Sequence, residues 1–453
     1  MAEARRGERE PSSDAASGTR GHRTAGDPVG RPATEEGRGH AADPAQGPLA
    51  RRYRAVVLDL DGVVYLGDRA VPGAAEALAG VRELGVAVGF VTNNSYRLPE
   101  AVAEKLLALG VKAAAEEVFT SAQATVRMLG GSLDGTRALV VGGPGLRTAL
   151  QAAGARLLDP DDWREADLVA VGIDPQLTYG RLAAACLAIR AGAAFVGSNP
   201  DTTMPTPDGL VPGNGSVLAL LETATGVRPR VAGKPEPALF ETAAAALGGG
   251  PLLMVGDRSD TDLEGAARLG WDTALVLTGA TLADGVLDLP AAPDHLLGGL
   301  GGLLEPAGPP VRAARAGDAE AVATLLNGIG LPGRLAPDRL RSTVVAGDGE
   351  GAVGAATWTR HGQQAVLRAV AVAAERRGRL LGTRLLLGAA VRLRDAGVHR
   401  LGARVPEQAA GFFARLGFRQ AAAGELPAAA APAGPGATVA LVRELPPDGA
   451  ARR

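Results

Sequence analysis

The chain has 453 residues, 46% of them hydrophobic and 21% charged, and its 47 basic and 49 acidic side chains leave a net charge of −2. That length suggests about three domains with enough apolar material for real cores, and the near-neutral charge argues against a nucleic-acid binder. No apolar run reaches the ~18 residues of a membrane span, and residues 1–50 lack the apolar stretch of a signal peptide. The lone Cys186 excludes an internal disulfide and fits a reducing cytoplasm, the expected location. Scarce residue types exclude more. His22 and His40 precede, and His295, His361 and His399 follow, a stretch from 41 to 294 that contains no histidine, and no tyrosine follows Tyr179. Mechanisms needing those groups in those places are ruled out.

Residues 1–50 mix Gly, Pro, Ser, Arg and acids without a hydrophobic period. Such a segment cannot offset its ordering entropy and is expected to be disordered; a translation start placed too far upstream is the alternative. From residue 54 the texture changes. RAVVLDLDG is a short apolar run ending in acids, VPGAAEALAGVRELG has helical spacing, and VAVGFVTNN is again a run ending in polar residues. TRALVVGG, ADLVAVGID, AAFVGSN, PRVAGKP, PLLMVGD and TALVLTG repeat the pattern, with Ala/Leu/Arg-rich helical stretches between them. This alternation predicts an α/β protein with parallel sheets covered by helices on both faces. The units are too many for one small sheet, so two α/β domains are expected before residue 290. Gly and Pro accumulate over 296–310, marking a linker assigned to 304–310. Adjacent strands at 351–359 and 365–372, then a helix at 380–397, make the region 311–444 α+β, and the last ten residues read as a tail.

In an open parallel sheet, chemistry sits at the carboxyl ends of the strands. Four polar clusters fall there or just beyond: Asp59-Leu60-Asp61-Gly62, Thr92-Asn93-Asn94, Gly233-Lys234-Pro235 and the run from Gly256 through Asp257 to Asp262. Three carboxylates and a lysine in one crevice, without histidine or a usable cysteine, suit magnesium and phosphate, because Mg2+ prefers hard oxygen ligands. Asp59 could attack phosphorus, a carboxylate being an accepted covalent nucleophile. Asp61 could protonate the leaving alkoxide and then activate water, while Thr92 and Asn93 donate to phosphoryl oxygens. Two anions ~4 Å apart repel by roughly 4 kcal/mol at an effective dielectric of 20; a divalent cation and Lys234 would offset that. Taken singly, each cluster also reads as a turn former. Lys234 resists that reading, since it is one of three lysines against 44 arginines and a point charge differs from a guanidinium fork.

The ordered set DLDGVVY, VTNNS, GKP and GDRSDTDLEGA resembles the motifs of the haloacid-dehalogenase (HAD) phosphatases, over about residues 53–290. The chain is similar to the branch with p-nitrophenyl-phosphate, phosphoglycolate and pyridoxal-phosphate phosphatases, which the stretch 199–217 also resembles. The resemblance implies a Rossmann-like HAD core at 51–131 and 229–303, with a C2-type α/β cap inserted at 132–228. By motif, Asp59 is the nucleophile and a magnesium ligand, and Asp61 is the acid/base and binds the metal through its carbonyl. Asp257 is the further ligand and Asp262 orients metal-bound water, while Gly62, Thr92, Asn93 and Lys234 hold the phosphate. The cap would close over the site and select the substrate; Asn199, Asp201 and Thr203 either contribute there or form a structural turn. The partner expected is a small phosphate ester, with no nucleic acid and no membrane; a homo-oligomer through the cap or the C-terminal region is left open.

Three other signals carry no chemistry. Arg360-His361-Gly362 lies between two predicted strands as an ordinary hairpin turn. Cys186 sits on an alanine-rich helix and lacks an arginine six residues on, so it reads as a small packed residue. Gly143-Pro144-Gly145 lacks the Gly-Lys-Ser/Thr of a phosphate loop and reads as a strand-to-helix turn.

The segments VRAARAGDAEAVATLL, VAVAAERRGRLLGTRLL and AAGFFARLGF, over about 311–420, resemble a GNAT-type acetyltransferase. In that family an Arg/Gln-x-x-Gly-x-Gly loop cradles the coenzyme A pyrophosphate. Here Leu380 stands where the middle glycine belongs, and its side chain would crowd the phosphates. The family's tyrosine acid aligns with Phe413. The region therefore reads as a degenerate fold kept for interaction, regulation or oligomerisation; coenzyme A binding without catalysis and active transfer are the alternatives. A HAD phosphatase followed by such a domain resembles the bacterial glycerol-3-phosphate phosphatases, which implies glycerol 3-phosphate as substrate and a place in glycerophospholipid breakdown. Phosphoglycolate, pyridoxal phosphate and nucleotides are the alternatives.

Overall fold

The structure, a computed structural model, describes residues 47–206, 208–332, 337–347, 351–427 and 438–447. Of the N-terminal tail expected over 1–50, residues 1–46 lie outside the described residues, as do 448–453 of the C-terminal one. The start of the described chain corrects that first boundary. Leu49 and Ala50 are 1% and 0% exposed, and the Leu49 N–H donates to the Glu305 carbonyl at 2.7 Å. Ordered chain begins before residue 51 because these two apolar side chains fill the first core.

The first segment supplies β1 (Ala55–Leu58), a small hairpin of β2 (Tyr65–Leu66) and β3 (Arg69–Ala70), then β4 (Ala87–Thr92) and β5 (Val118–Thr120). The middle segment supplies β6 (Arg137–Val141), β7 (Arg156–Leu158), β8 (Leu168–Val171) and β9 (Ala194–Gly197). A hairpin of β10 (Thr203–Thr206) and β11 (Gly209–Pro212) and the short β12 (Arg230–Val231) follow. The chain returns with β13 (Leu252–Gly256), β14 (Asp272–Val276) and β15 (His295–Leu297). Two parallel sheets result, ordered β15-β14-β13-β1-β4-β5 and β12-β9-β8-β6-β7.

Their central strands are apolar and buried throughout, as AVVL in β1 and LVAV in β8, because helices cover both faces. The helix Ala74–Glu83 shows how: Ala74, Ala77, Leu78 and Val81 form its buried stripe, spaced as one helical face. Thr120 starts the helix Ser121–Met128 by accepting the Gln123 N–H on its side chain, which satisfies one otherwise unpaired amide. The second sheet runs past the boundary expected at 228: Arg230 and Val231 pair with Val196 and Gly197 of β9. The GKP segment is thus the passage from the second sheet back to the first.

The C-terminal region builds one sheet from β16 (Val311–Ala313), β17 (Thr343–Ala346), β18 (Gly354–His361), β19 (Gln364–Val372), β20 (Arg400–Pro406), β21 (Arg419–Gln420) and β22 (Thr438–Glu444). Its order is β16-β17-β18-β19-β20-β22-β21. Pairs are antiparallel except β19–β20, which run parallel and pair only from Gln364–Leu367 to Arg400–Ala403. Beyond that register the strands flank an apolar cleft of about 690 Å³. Arg360 and His361 end β18, and Gly362-Gln363 make the hairpin turn into β19, so the motif lies at a hairpin as expected.

Leu380, at the start of the helix Leu381–Asp395, has φ +55°, the one left-handed non-glycine among the described residues. Leucine there carries a cost of ~1–2 kcal/mol that glycine would avoid. Phe413 is buried against Phe412 and Phe418 with ring centroids 5.2 Å away in each case, the surroundings of a packing residue.

This region is not tethered loosely by the 304–310 segment. Leu275, Val286, Leu287, Leu289 and Leu296 of the preceding unit share one apolar cluster with Leu385, Leu386, Leu393 and Leu445. Each such leucine, fully buried, contributes ~1.5–3 kcal/mol. Arg394 donates to the carbonyls of Leu287 and Leu289, and Arg443 pairs with Asp288 at 2.6 Å. Among the described residues no helix is long and apolar enough to cross a membrane.

Candidate active site

Loops at the carboxyl ends of the strands converge where the two sheets meet. Asp59 and Asp61 follow β1, Thr92 ends β4, Asp257 follows β13, and Lys234 follows β12. Asp262 comes from the turn Ser259–Leu263, a single π turn that carries it back beneath β13. The Lys234 Nζ lies 2.6 Å from Asp59 Oδ1 and 2.7 Å from Asp262 Oδ1. Lys234 is 3% and Asp262 0% exposed, so this double ion pair is shielded from water. Asp59, Asp257 and Asp262 each offer an oxygen, all within 4.8 Å of one another.

The electrostatics follow from that crowding. Burial alone would lower the Lys234 pKa, but the carboxylates of Asp262 and Asp59 reverse it and hold the ammonium well above its ordinary value. Burial, then the charges of Asp262 and Asp59, push Asp257 up to about 7. Asp262 is also raised, by burial first, with Lys234 opposing. The Asp61 side chain keeps contact with solvent, yet neighbouring atoms crowd its carboxyl, and that partial desolvation raises it above the usual carboxylate range.

One oxygen of Asp257 accepts the Ala280 N–H at 2.6 Å; the other, Oδ1, is buried without a hydrogen-bond partner. A buried orphan oxygen on a raised carboxylate, beside two more carboxylates, suits a hard divalent cation. The glycines preserve this space. A Cβ on Gly62 would fall 2.1 Å from Asp257 Oδ2 and 2.9 Å from Gly279 Cα, and Gly62 has φ +81°. The Gly62 carbonyl accepts from Thr278 Oγ1 at 2.7 Å, which pins the loop that bears Asp61.

The expected residues do not all act as their types suggested. Thr92 Oγ1 accepts the Asn94 N–H at 3.1 Å, a local turn bond. Asn93 corrects the expectation that its side chain reaches a phosphoryl oxygen. Its Oδ1 accepts the Lys234 N–H at 2.8 Å, and its Nδ2 donates to the Lys234 carbonyl at 3.1 Å and to Asp201 Oδ2 at 3.0 Å. The amide is thus committed to holding the lysine loop. Asn199 donates to the Asn93 carbonyl at 2.8 Å, and Asp201 lies 3.6 Å from Arg258. These two therefore join the cap to the core, while Thr203 is an exposed residue of the β10 hairpin.

Sequence reasoning missed the part played by four residues. Ala280 and Gly279 were signalled only by the TG that ends TALVLTG. Arg258 sat within the last motif but was given no task. Gly145, read as a turn former, is where the cap meets the core: its N–H donates to the Tyr96 carbonyl at 2.9 Å, and a Cβ there would strike the Ser95 and Arg97 carbonyls.

Comparison with known proteins matches three stretches of the chain to family models. Residues 56–156 match the haloacid dehalogenase-like hydrolase model, 231–303 a HAD-hydrolase-like model, and 339–420 an acetyltransferase (GNAT) domain. The chain is 38% identical over 252 residues to the 5'-nucleotidase YutF of Bacillus subtilis, covering 55% of this chain and 97% of that one. It is 38% identical over 247 residues to an acid sugar phosphatase of Staphylococcus aureus, covering 54% and 94%. A glycerol phosphate phosphatase from Mycobacterium tuberculosis, solved with magnesium, aligns at 32% identity and a TM-score of 0.64, covering 82% of this chain and 99% of that one. The calcium complex of the same protein gives a TM-score of 0.65.

Proposed function

This chain belongs to the haloacid dehalogenase-like hydrolases, a phosphatase by that kinship, and from that premise we propose that it hydrolyses glycerol 3-phosphate through an aspartyl-phosphate on Asp59. The observation that carries the reaction is the buried ion pair of Lys234 with Asp59 and Asp262, beside Asp257. Lys234 neutralises the nucleophile's surroundings so that a phosphate dianion can approach. An Asp59 oxygen attacks phosphorus while the bond from phosphorus to the alcohol oxygen breaks, and Asp61 gives its proton to that oxygen. Asp61 then takes a proton from water, whose oxygen bonds to phosphorus as the bond to Asp59 breaks. Inorganic phosphate leaves and both carboxyl groups return to their first states. Mg2+, held by Asp59, Asp257 and the Asp61 carbonyl, would supply positive charge to the phosphoryl oxygens. Gly62, Thr92 and Lys234 line the phosphate position, Asn93 fixes Lys234, and Asp262 anchors its ammonium.

The substrate reading is supported by reach. The likeness to the glycerol phosphate phosphatase extends over 82% of this chain, into the C-terminal region, whereas the nucleotidase and sugar phosphatase alignments cover 55% and 54%. The C-terminal region is read as a GNAT-like fold without acetyl transfer, on the positions of Leu380 and Phe413. The test is a panel of glycerol 3-phosphate, phosphoglycolate, pyridoxal phosphate, a sugar phosphate and nucleotides with magnesium, run on wild type and Asp59→Asn. The expected result is highest kcat/KM for glycerol 3-phosphate and none with Asp59→Asn. Flat activity across the panel refutes the substrate; turnover by the purified variant refutes the mechanism.

A further inference from the structure

A second cavity, of about 400 Å³, lies away from the carboxylate cluster, between β15 with its glycine-rich continuation and the loop that opens the helix Leu381–Asp395. None of its lining residues belongs to the active site. Its volume is within the ~300–1,000 Å³ of small-molecule sites. Arg376, Arg379, Arg384 and His295 line it, and Glu305, exposed, is the one acid among them.

Arg384 is the informative group. Its guanidinium is largely enclosed, and burial alone depresses its pKa, with no carboxylate acting to raise it. No hydrogen bond or ion pair is formed by that side chain among the described residues. A guanidinium cannot shed its proton to escape this cost. In the same lining, a Cβ on Gly298 or Gly301 would meet nothing within 4 Å, so space remains beside that chain. The phenolic proton of Tyr53 goes to Asp272 at 2.7 Å, so His295 Nε2, 2.8 Å from the same oxygen, carries its own hydrogen. His295 is therefore held by the core while its ring borders the cavity.

We propose that this junction binds a dianionic phosphoryl group, through the planar fork of Arg384 with Arg376 and Arg379 at its rim. A bidentate guanidinium–phosphate contact supplies the missing partner and matches the geometry of the fork. The group arrives either as inorganic phosphate or as the head of a phosphate monoester, for which the cavity has room. The cavity is lined by both the core and the C-terminal region.

The experiment is calorimetric titration of the full-length protein, without magnesium, with inorganic phosphate and with a non-hydrolysable phosphonate analogue of a monoester, while NMR follows the His295 ring. Coenzyme A is titrated in parallel. The expected result is one binding event beyond that of the active site, moving the His295 signal, and weakened ~10-fold or more by Arg384→Leu. The Arg376→Ala/Arg379→Ala variant, altered only at exposed positions, should weaken the same event. Stronger binding of the phosphonate identifies the monoester as the source, and equal binding identifies free phosphate. An unchanged number of events in both variants, or binding by coenzyme A alone with no dependence on Arg384, overturns the proposal.

Discussion

Replacing Lys234 by methionine keeps the side chain's length and removes the only cation in contact with Asp59 and Asp262 among the described residues. At 2.6 Å and 2.7 Å, each ion pair has a gross attraction of ~6 kcal/mol at an effective dielectric of 20. Desolvation offsets most of this, so the net cost of stranding the carboxylates is ~3–5 kcal/mol. The cost depends on pH. Without Lys234, which opposes the effect of burial, Asp262 titrates in the fold still further above its unfolded value, so the native state binds more protons than the unfolded one. Stability is then retained at low pH and lost as pH rises through the raised value. Thermal unfolding should show the largest deficit at about pH 8 and the smallest at about pH 5, on a scale of ~2–4 °C per kcal/mol. Magnesium should restore part of it at the higher pH by replacing the lost charge. A deficit that is the same at both pH values, or indifferent to magnesium, would show that Lys234 is a packing residue and not the counter-charge of this site.

Gly62→Ala should abolish phosphate release and lower magnesium affinity, because its Cβ would sit 2.1 Å from Asp257 Oδ2 on a backbone at φ +81°; normal magnesium binding by calorimetry would contradict this. His295 makes the fold acid-sensitive. Burial first, then Arg384, lowers its pKa to about 4, with Arg52 acting the same way and Asp294 and Asp272 opposing beside Tyr53. The unfolded chain takes up this proton near pH 6.5 and the native one only near 4, so stability falls as pH drops through that window. The loss is at most ~3 kcal/mol, at 1.36 kcal/mol per pKa unit. His295→Gln should flatten the unfolding profile between those values, and an unchanged slope would assign the sensitivity elsewhere.

The carboxylate site was legible because its residues stand at strand ends. Asp59 and Asp257 each follow four or more buried apolar residues, and a pattern of that kind is written locally. What was not legible depends on partners distant in the chain. Nothing in PRVAGKP says that its strand pairs with β9, since pairing is decided by the sheet left open beside it. Leu49 looked like the end of a polar tail because its core is built by residues far downstream. The C-terminal region read as a separate body on a linker; Leu275 and Leu385 meeting in one cluster is a tertiary fact that no periodicity encodes.

Asn93 shows why a motif is read more easily than its division of labour. An amide beside a phosphate site suggests a donor, yet both ends of this one are taken up by Lys234 and Asp201, and its carbonyl accepts from Ser121 and Asn199. Ser198 of β9's loop also bonds Ser95 at 2.8 Å, fully buried. The residues that place the lysine charge are therefore the ones that fasten the cap. A displacement of the second sheet relative to the first would therefore act on the Lys234 loop through Asn93.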